Sequence, residues 1–264
     1  MSGRWAGALV VAALVLGTGG CGPDGAAAPA ATVTVTASAP TAAPTAAPTA
    51  APTTAASATA PPLTWTPDRI SGTQGSFTYD VELPRFSGSA VADAVDRRVQ
   101  ASVRDTVDTA RRTVLPGDAP RTLTGTGTVT TDDGRTVQVH LTYVDSTEGT
   151  AHPTTSVATV ALDASDGSPL TLDAVFRDEA AAQAVLADEV RRLAAAAGEE
   201  VTAQDGLAPR RENWAAWQTT PQGMVISFQD HQLGGPGLRE HVVGWDVVEP
   251  LLTDRARALL APAT

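Results

Sequence analysis

The 264-residue chain contains no lysine and a single cysteine, Cys21. One thiol excludes a disulfide within the chain and any zinc site built from two or more thiolates. Aromatic residues make up only 4% and charged residues 18%. All 18 basic residues are Arg, set against 29 Asp and Glu, for a formal charge of −11. So acidic a chain, without a basic run, does not suit nucleic acid, where affinity comes mainly from phosphate neutralisation. Long apolar runs are missing too: the run 5–16 spans 12 residues, and a spanning helix needs about 20. The only histidines are His140, His152, His231 and His241, and none stands in a His-x-x-x-His spacing. The spacing therefore supports no metal site and no cofactor.

What is present divides into three segments. Residues 1–21 read as a lipoprotein signal peptide: Arg4, the apolar run, then small residues up to Cys21. Gly19 and Gly20 before Cys21 resemble a bacterial lipobox, in which a diacylglycerol is attached to the thiol and cleavage leaves cysteine first. Thr18 stands where that pattern has an aliphatic residue. The alternative is an ordinary secretory signal with an incidental cysteine.

Residues 22–62 hold 17 Ala, 9 Thr and 8 Pro among 41 residues, with Asp24 the one charge. Pro-Thr-Ala-Ala recurs from Pro40, Pro44 and Pro48. Proline at this spacing blocks a helix, and nothing here is bulky enough for a core. The expected state is a disordered, semi-extended tether reaching at most about 130 Å, at ~3.1 Å per residue.

Residues 63–264 carry ten of the eleven aromatics, and 17 Arg against 28 Asp and Glu. A domain of some 200 residues buries about 70% of its unfolded surface, enough without disulfides. Residues 77–83 alternate as a half-buried strand that Pro84 should end. Val91, Val95, Val99, Val103 and Val107 predict one apolar stripe on a long helix to about Val114, capped by Ser87 or Ser89. Runs at 123–131, 136–143 and 154–162 predict an antiparallel meander, its first turn Asp132-Asp133-Gly134. A second amphipathic helix is expected over 179–197. Strands are expected at 214–219, 224–228 and 241–245, then a mostly helical 247–260. Trp214 and Trp217 on one strand would face opposite ways, leaving one partly exposed. The fold class is α+β, antiparallel sheet with two amphipathic helices.

Catalytic motifs are mostly missing. There is no Gly-x-Ser-x-Gly pentapeptide. Asp163, Asp166 and Asp173 fit a β-turn better than a calcium loop, because Gly167 falls one position early. Gly125-Thr-Gly127 lacks the third glycine of a dinucleotide fingerprint, and Gly234-Gly-Pro-Gly237 lacks a phosphate-loop Lys-Ser/Thr.

Two stretches carry a resemblance. The first, 157–176, reads VATVALDASDGSPLTLDAVF. The second, 213–252, has Asn213-Trp214, Trp217, Thr220, Gly223, Phe228, Gln232, the Gly-Pro-Gly turn at 235–237, Val242 and 247–252. Together they resemble the extracellular domain of RsiV-like proteins, a domain of unknown function. They are also similar to a secreted mycobacterial immunogenic protein. The Gly-Gly-Ala-His-like loop of that family is matched in 148–152 at Gly149 and Ala151-His152 only. The resemblance implies an outer binding domain, with a lysozyme-like protein or a wall component as ligand. The expected reading is thus a lipid-anchored, extracytoplasmic, non-enzymatic module of the cell envelope. A wall-acting esterase or deacetylase and an envelope structural or antigenic protein are the alternatives. The candidate ligand-binding residues are Glu148, His152, Asp230, His231 and Gln232, because loops on a rigid sheet carry function.

Overall fold

The computed structural model describes residues 61–262. The signal segment, Cys21 and the tether up to residue 60 lie outside the described residues. A five-stranded sheet has the order β1 (Thr64–Gln74), β2 (Phe77–Ser87), β3 (Arg121–Asp132), β4 (Thr136–Thr147) and β5 (Thr154–Asp163). A three-stranded sheet follows, with β6 (Trp217–Thr220), β7 (Gly223–Phe228) and β8 (Arg239–Gly244). The helices are α1 (Ala90–Arg112), α2 (Leu172–Val175), α3 (Glu179–Ala196), α4 (Trp245–Val248) and α5 (Asp254–Leu260). The α+β class and the β3-β4-β5 antiparallel meander are as expected.

Four differences have physical reasons. Strand β1, polar and mostly exposed, has no sequence periodicity of its own; it pairs along the whole of β2. The β2–β3 pair is parallel, because α1 crosses over between them. Pro84 does not end β2. Parallel pairing with β3 stops at Glu82, and Pro84 faces Pro67 across β1, where neither ring has an N–H to offer. Finally, the expected helix 247–260 is broken: α4 passes into a 3-10 turn at Glu249–Leu251 containing Pro250, and α5 starts anew with Thr253 as its cap.

Two apolar clusters hold the described residues together. In one, α1 lies against β1–β5. Ser89 caps the helix by accepting from the Ala92 N–H at 3.1 Å. Its stripe Val95, Val99, Val103 and Val107 is buried against Phe77, Val81, Leu123, Leu141 and Tyr143. Burying each such valine contributes about 1.5 kcal/mol or more. In the other, α3 and α5 enclose Trp214, Trp217, Met224, Ile226 and Phe228. Both tryptophans are buried, at 1% and 4% exposure, contrary to the opposite-face expectation. Trp214 sits on a 3-10 turn, Arg211–Trp214, rather than on β6, so strand alternation does not apply to it. Its indole N–H donates to the Ala208 carbonyl at 3.0 Å, and its ring meets Phe228 edge-on, 5.7 Å between centroids.

Glycines in the large sheet make room for rings across the strand. A Cβ on Gly125 would lie 2.8 Å from Tyr143 Cδ1, and one on Gly72 would lie 2.6 Å from the Tyr79 hydroxyl. Gly125 pairs with Tyr143, and Gly72 with Tyr79. The Gly125-Thr-Gly127 motif is therefore a packing device. At 163–167, the Asp163 carboxylate accepts from the Ser165 N–H (2.8 Å) and hydroxyl (2.6 Å) and pairs with Arg255 at 2.8 Å. That is a closed turn, as expected.

Candidate functional site

Strand β5 is an edge of the large sheet, and its outer side is closed without another long strand. Gln229, just after β7, supplies its side-chain amide. Its Oε1 accepts from the Val157 N–H at 2.7 Å, and its Nε2 donates to the Val157 carbonyl at 2.7 Å. One residue on, the Asp230 N–H donates to the Thr155 carbonyl at 3.1 Å. Farther along, the Thr159 hydroxyl accepts from the Trp217 N–H at 3.0 Å and donates to the Ala215 carbonyl at 3.2 Å. Gln138 and Thr219 join β4 to β6, by an N–H of Thr219 to Gln138 Oε1 at 2.7 Å and by Gln138 Nε2 to the Thr219 hydroxyl at 2.6 Å. This polar seam joins the two sheets, beside an apolar contact in which Ala161 of β5 belongs to the same cluster as Trp217 and Ile226.

The seam also places the candidate residues. His152 stands two residues before β5. Clamping 229–230 onto the start of β5 sets Asp230 and His231 beside it. The His152 and His231 rings have centroids 5.8 Å apart, tilted by 40°. His231 Nε2 is 3.7 Å from Asp230 Oδ1. One ligand atom from each of His152, Asp230 and His231 can be chosen so that all lie within 4.8 Å of one another. The Asp230 side chain is only 3% exposed, whereas that of His231 is 53% exposed. Asp230 Oδ1 also accepts from the Gly237 N–H, which closes the glycine-rich loop back on the carboxylate. His231 is the one non-glycine residue with a left-handed backbone among the described residues, φ 64°. Histidine tolerates that region better than most residues, but it is uncommon there.

Of the five candidates, the structure therefore brings three together. Glu148 is exposed and lies outside the cluster; its N–H donates to the Pro120 carbonyl at 2.9 Å. Gln232 turns inward. Its Oε1 accepts from the Gln229 N–H at 2.9 Å, and its Nε2 donates to the Gly206 (3.1 Å) and Asn213 (3.0 Å) carbonyls. It holds the loop rather than presenting a group to solvent. Sequence spacing offers no sign that the two histidines meet. Their juxtaposition depends on Gln229, a residue that the sequence reading passed over.

A polar cavity of about 210 Å³ adjoins His152, lined also by Arg121, Asp145, Thr147, Thr150 and Thr154. Arg121 and Asp145 form an ion pair across β3 and β4. The hydrogen bonds that Arg121 donates to the Asp145 carboxylate raise the arginine's already high pKa further. A larger cavity of about 350 Å³, mostly apolar, lies where α1 and β5 approach Leu170, Arg211 and Trp217. Neither of its arginines is free: Arg98 donates to the Gly167 carbonyl at 3.0 Å, and Arg211 pairs with Glu179 at 2.7 Å.

The remaining histidines are interior. His241 is 6% exposed; its Nε2 makes no hydrogen bond and lies 3.6 Å from the Glu199 carboxylate. His140 Nε2 lies 3.8 Å from Glu240, whose carboxylate already accepts from the Ser227 hydroxyl at 2.8 Å. Ser227 is 1% exposed. Serine and histidine both turn to the carboxylate, not to each other, which is not the order of a nucleophile–base–acid relay. Burial pushes both imidazole pKa values down, for His140 against the pull of Glu240 and for His241 against that of Glu199.

No family model and no curated protein matches the chain. Solved structures do. A DUF3298 family member from Bacteroides fragilis is 12% identical, with a TM-score of 0.52, covering 74% of this chain and 96% of its own. A DUF3298 family protein from Pseudomonas aeruginosa is 15% identical, with a TM-score of 0.50, covering 78% of this chain and 100% of its own. At these identities the likeness is one of fold. The structural neighbours are thus members of a domain family of unknown function.

Proposed function

From this shared fold, we propose that the protein is an RsiV-like, lipid-anchored binding module on the extracytoplasmic side of a bacterial cell membrane. Cys21 is the acylated residue and 22–62 the tether. The ligand is a basic, lysozyme-like protein or a cell-wall component. The observation that carries the reading is the meeting of two loops at an exposed pair of rings, His152 from one and His231 from the other, with centroids 5.8 Å apart. A formal charge of −11 supports it, since an acidic surface draws a basic partner by long-range attraction. No helix among the described residues is long and apolar enough to cross a membrane.

The test is a pull-down with the full chain as bait, against lysozyme and envelope extracts, repeated with His152→Ala and His231→Ala. The expected result is salt-sensitive capture that both variants weaken. Equal capture by both variants would remove this surface from the proposal.

A second reading is a wall-acting esterase or deacetylase. The pairing of two imidazoles with a buried carboxylate favours it. Among the described residues, however, no hydrogen bond joins a serine hydroxyl to a histidine ring. This reading therefore rests on activation of water rather than on a serine nucleophile.

A further inference from the structure

We propose that His152, Asp230 and His231 bind one divalent transition-metal ion of the zinc type. The donor set is two imidazole nitrogens and one carboxylate oxygen, which suits zinc and its first-row neighbours rather than magnesium or calcium. Among the described residues this is the one grouping of three such side chains whose ligand atoms fall within 4.8 Å of one another.

The surroundings of the donors resemble those of a metal site. A metal-bound imidazole commonly donates its other N–H to a carbonyl or carboxylate. His152 Nδ1 lies 3.1 Å from the Pro153 carbonyl, which leaves Nε2 with its lone pair for the ion. The Asp230 carboxylate is oriented by the Gly237 N–H and is almost wholly removed from water. No arginine pairs with Asp230 among the described residues; its one ion-pair neighbour is His231.

The fit in distance is close. Tetrahedral zinc with bonds of about 2.0–2.1 Å needs donors about 3.4 Å apart. His231 Nε2 and Asp230 Oδ1 already stand at 3.7 Å. The His152 donor stands within 4.8 Å of the other two, and its exposed side chain has room to rotate toward them. His231 has a left-handed backbone, and its ring lies beside both Asp230 and His152. Strain of this kind concentrates at ligand clamps.

Three protein donors leave at least one coordination position open, and the exposed faces of both rings direct it to solvent. That position can hold water or a donor atom from a ligand. The inference does not depend on the proposed binding partner, because the ion is measured on the protein alone.

The experiment uses the untagged full chain, stripped with a chelator, titrated calorimetrically with Zn²⁺ and by absorption with Co²⁺. The expected result is one ion per chain and visible Co²⁺ bands of a four- or five-coordinate site. His152→Ala, His231→Ala and Asp230→Asn should each lower affinity roughly tenfold or more. Circular dichroism of each variant separates loss of the site from loss of the fold; His152→Ala, at an exposed position, is the variant that must remain folded. No saturable binding overturns the proposal. So does binding that survives unchanged in His152→Ala and His231→Ala, which would place an adventitious ion elsewhere.

Discussion

Gln229 stands in for a strand beside Val157. Its side-chain amide is bonded to both main-chain groups of that residue, each at 2.7 Å, although the two are 72 positions apart. Gln229→Ala leaves a partly buried N–H and carbonyl without partners. The expected loss is about 1–3 kcal/mol. A lower urea midpoint at constant slope would show it, and an unchanged midpoint would mean that water replaces the amide.

A second expectation concerns pH. His140 and His241 are held below the ordinary histidine value by burial. The unfolded chain therefore binds protons that the folded chain refuses. Stability should be flat above about pH 7 and fall as pH drops through the unfolded value near 6.5. Thermal midpoints at about pH 7.5 and 5.5 would measure the drop. His241→Leu should shrink it, since the buried Nε2 makes no hydrogen bond and its carboxylate neighbour, Glu199, stands 3.6 Å away.

At lower pH a carboxylate takes over. Burial alone would raise Asp163, but Arg255 and the Ser165 hydroxyl and N–H outweigh it and hold the carboxyl below its usual value. Its contribution is complete above about pH 4 and is lost as pH falls below that. In Asp163→Asn the acid limb of the stability profile should be shallower. An identical limb in the variant would assign that acid sensitivity elsewhere.

Gly125→Ala tests the packing of Tyr143 in the large sheet. The new methyl group would stand 2.8 Å from Tyr143 Cδ1 and 3.2 Å from the Thr142 carbonyl. Overpacking of this kind costs roughly 1–3 kcal/mol. Chemical denaturation should show the cost, and neutral behaviour would mean that the ring moves aside freely.

The anchor has a separate test. Cells grown with a labelled fatty acid should tag the wild-type protein and not Cys21→Ala. Equal labelling of both would exclude the thiol as the attachment point.

Much of this fold was legible because its signals are local. The valine stripe of α1, the Ser89 cap and the Asp-Gly turns each act within a few residues, and each is found where periodicity and turn chemistry put it. Strand β1 was not legible, because its place depends on β2 and not on its own polar sequence. The parallel β2–β3 pair is a property of the crossover helix. Trp214 went astray because a strand was assumed where the chain makes a 3-10 turn. The candidate loops were found from resemblance and loop position, yet the division of labour within them was not. Gln232 turns its amide inward to Gly206 and Asn213 while the neighbouring His231 stays exposed on a left-handed backbone, and no pattern in the sequence encodes that.

The seam between the sheets has a practical consequence. His152 leads into a strand of the large sheet, while His231 follows a strand of the small one. Anything gripping both histidines staples the halves together and must raise the temperature at which they separate. At a hundredfold excess over its dissociation constant, such an occupant adds about 2.7 kcal/mol. The melting curve is therefore an assay for an occupant whose identity need not be known beforehand: metal salts, wall fragments and proteins can all be ranked by how far they move it.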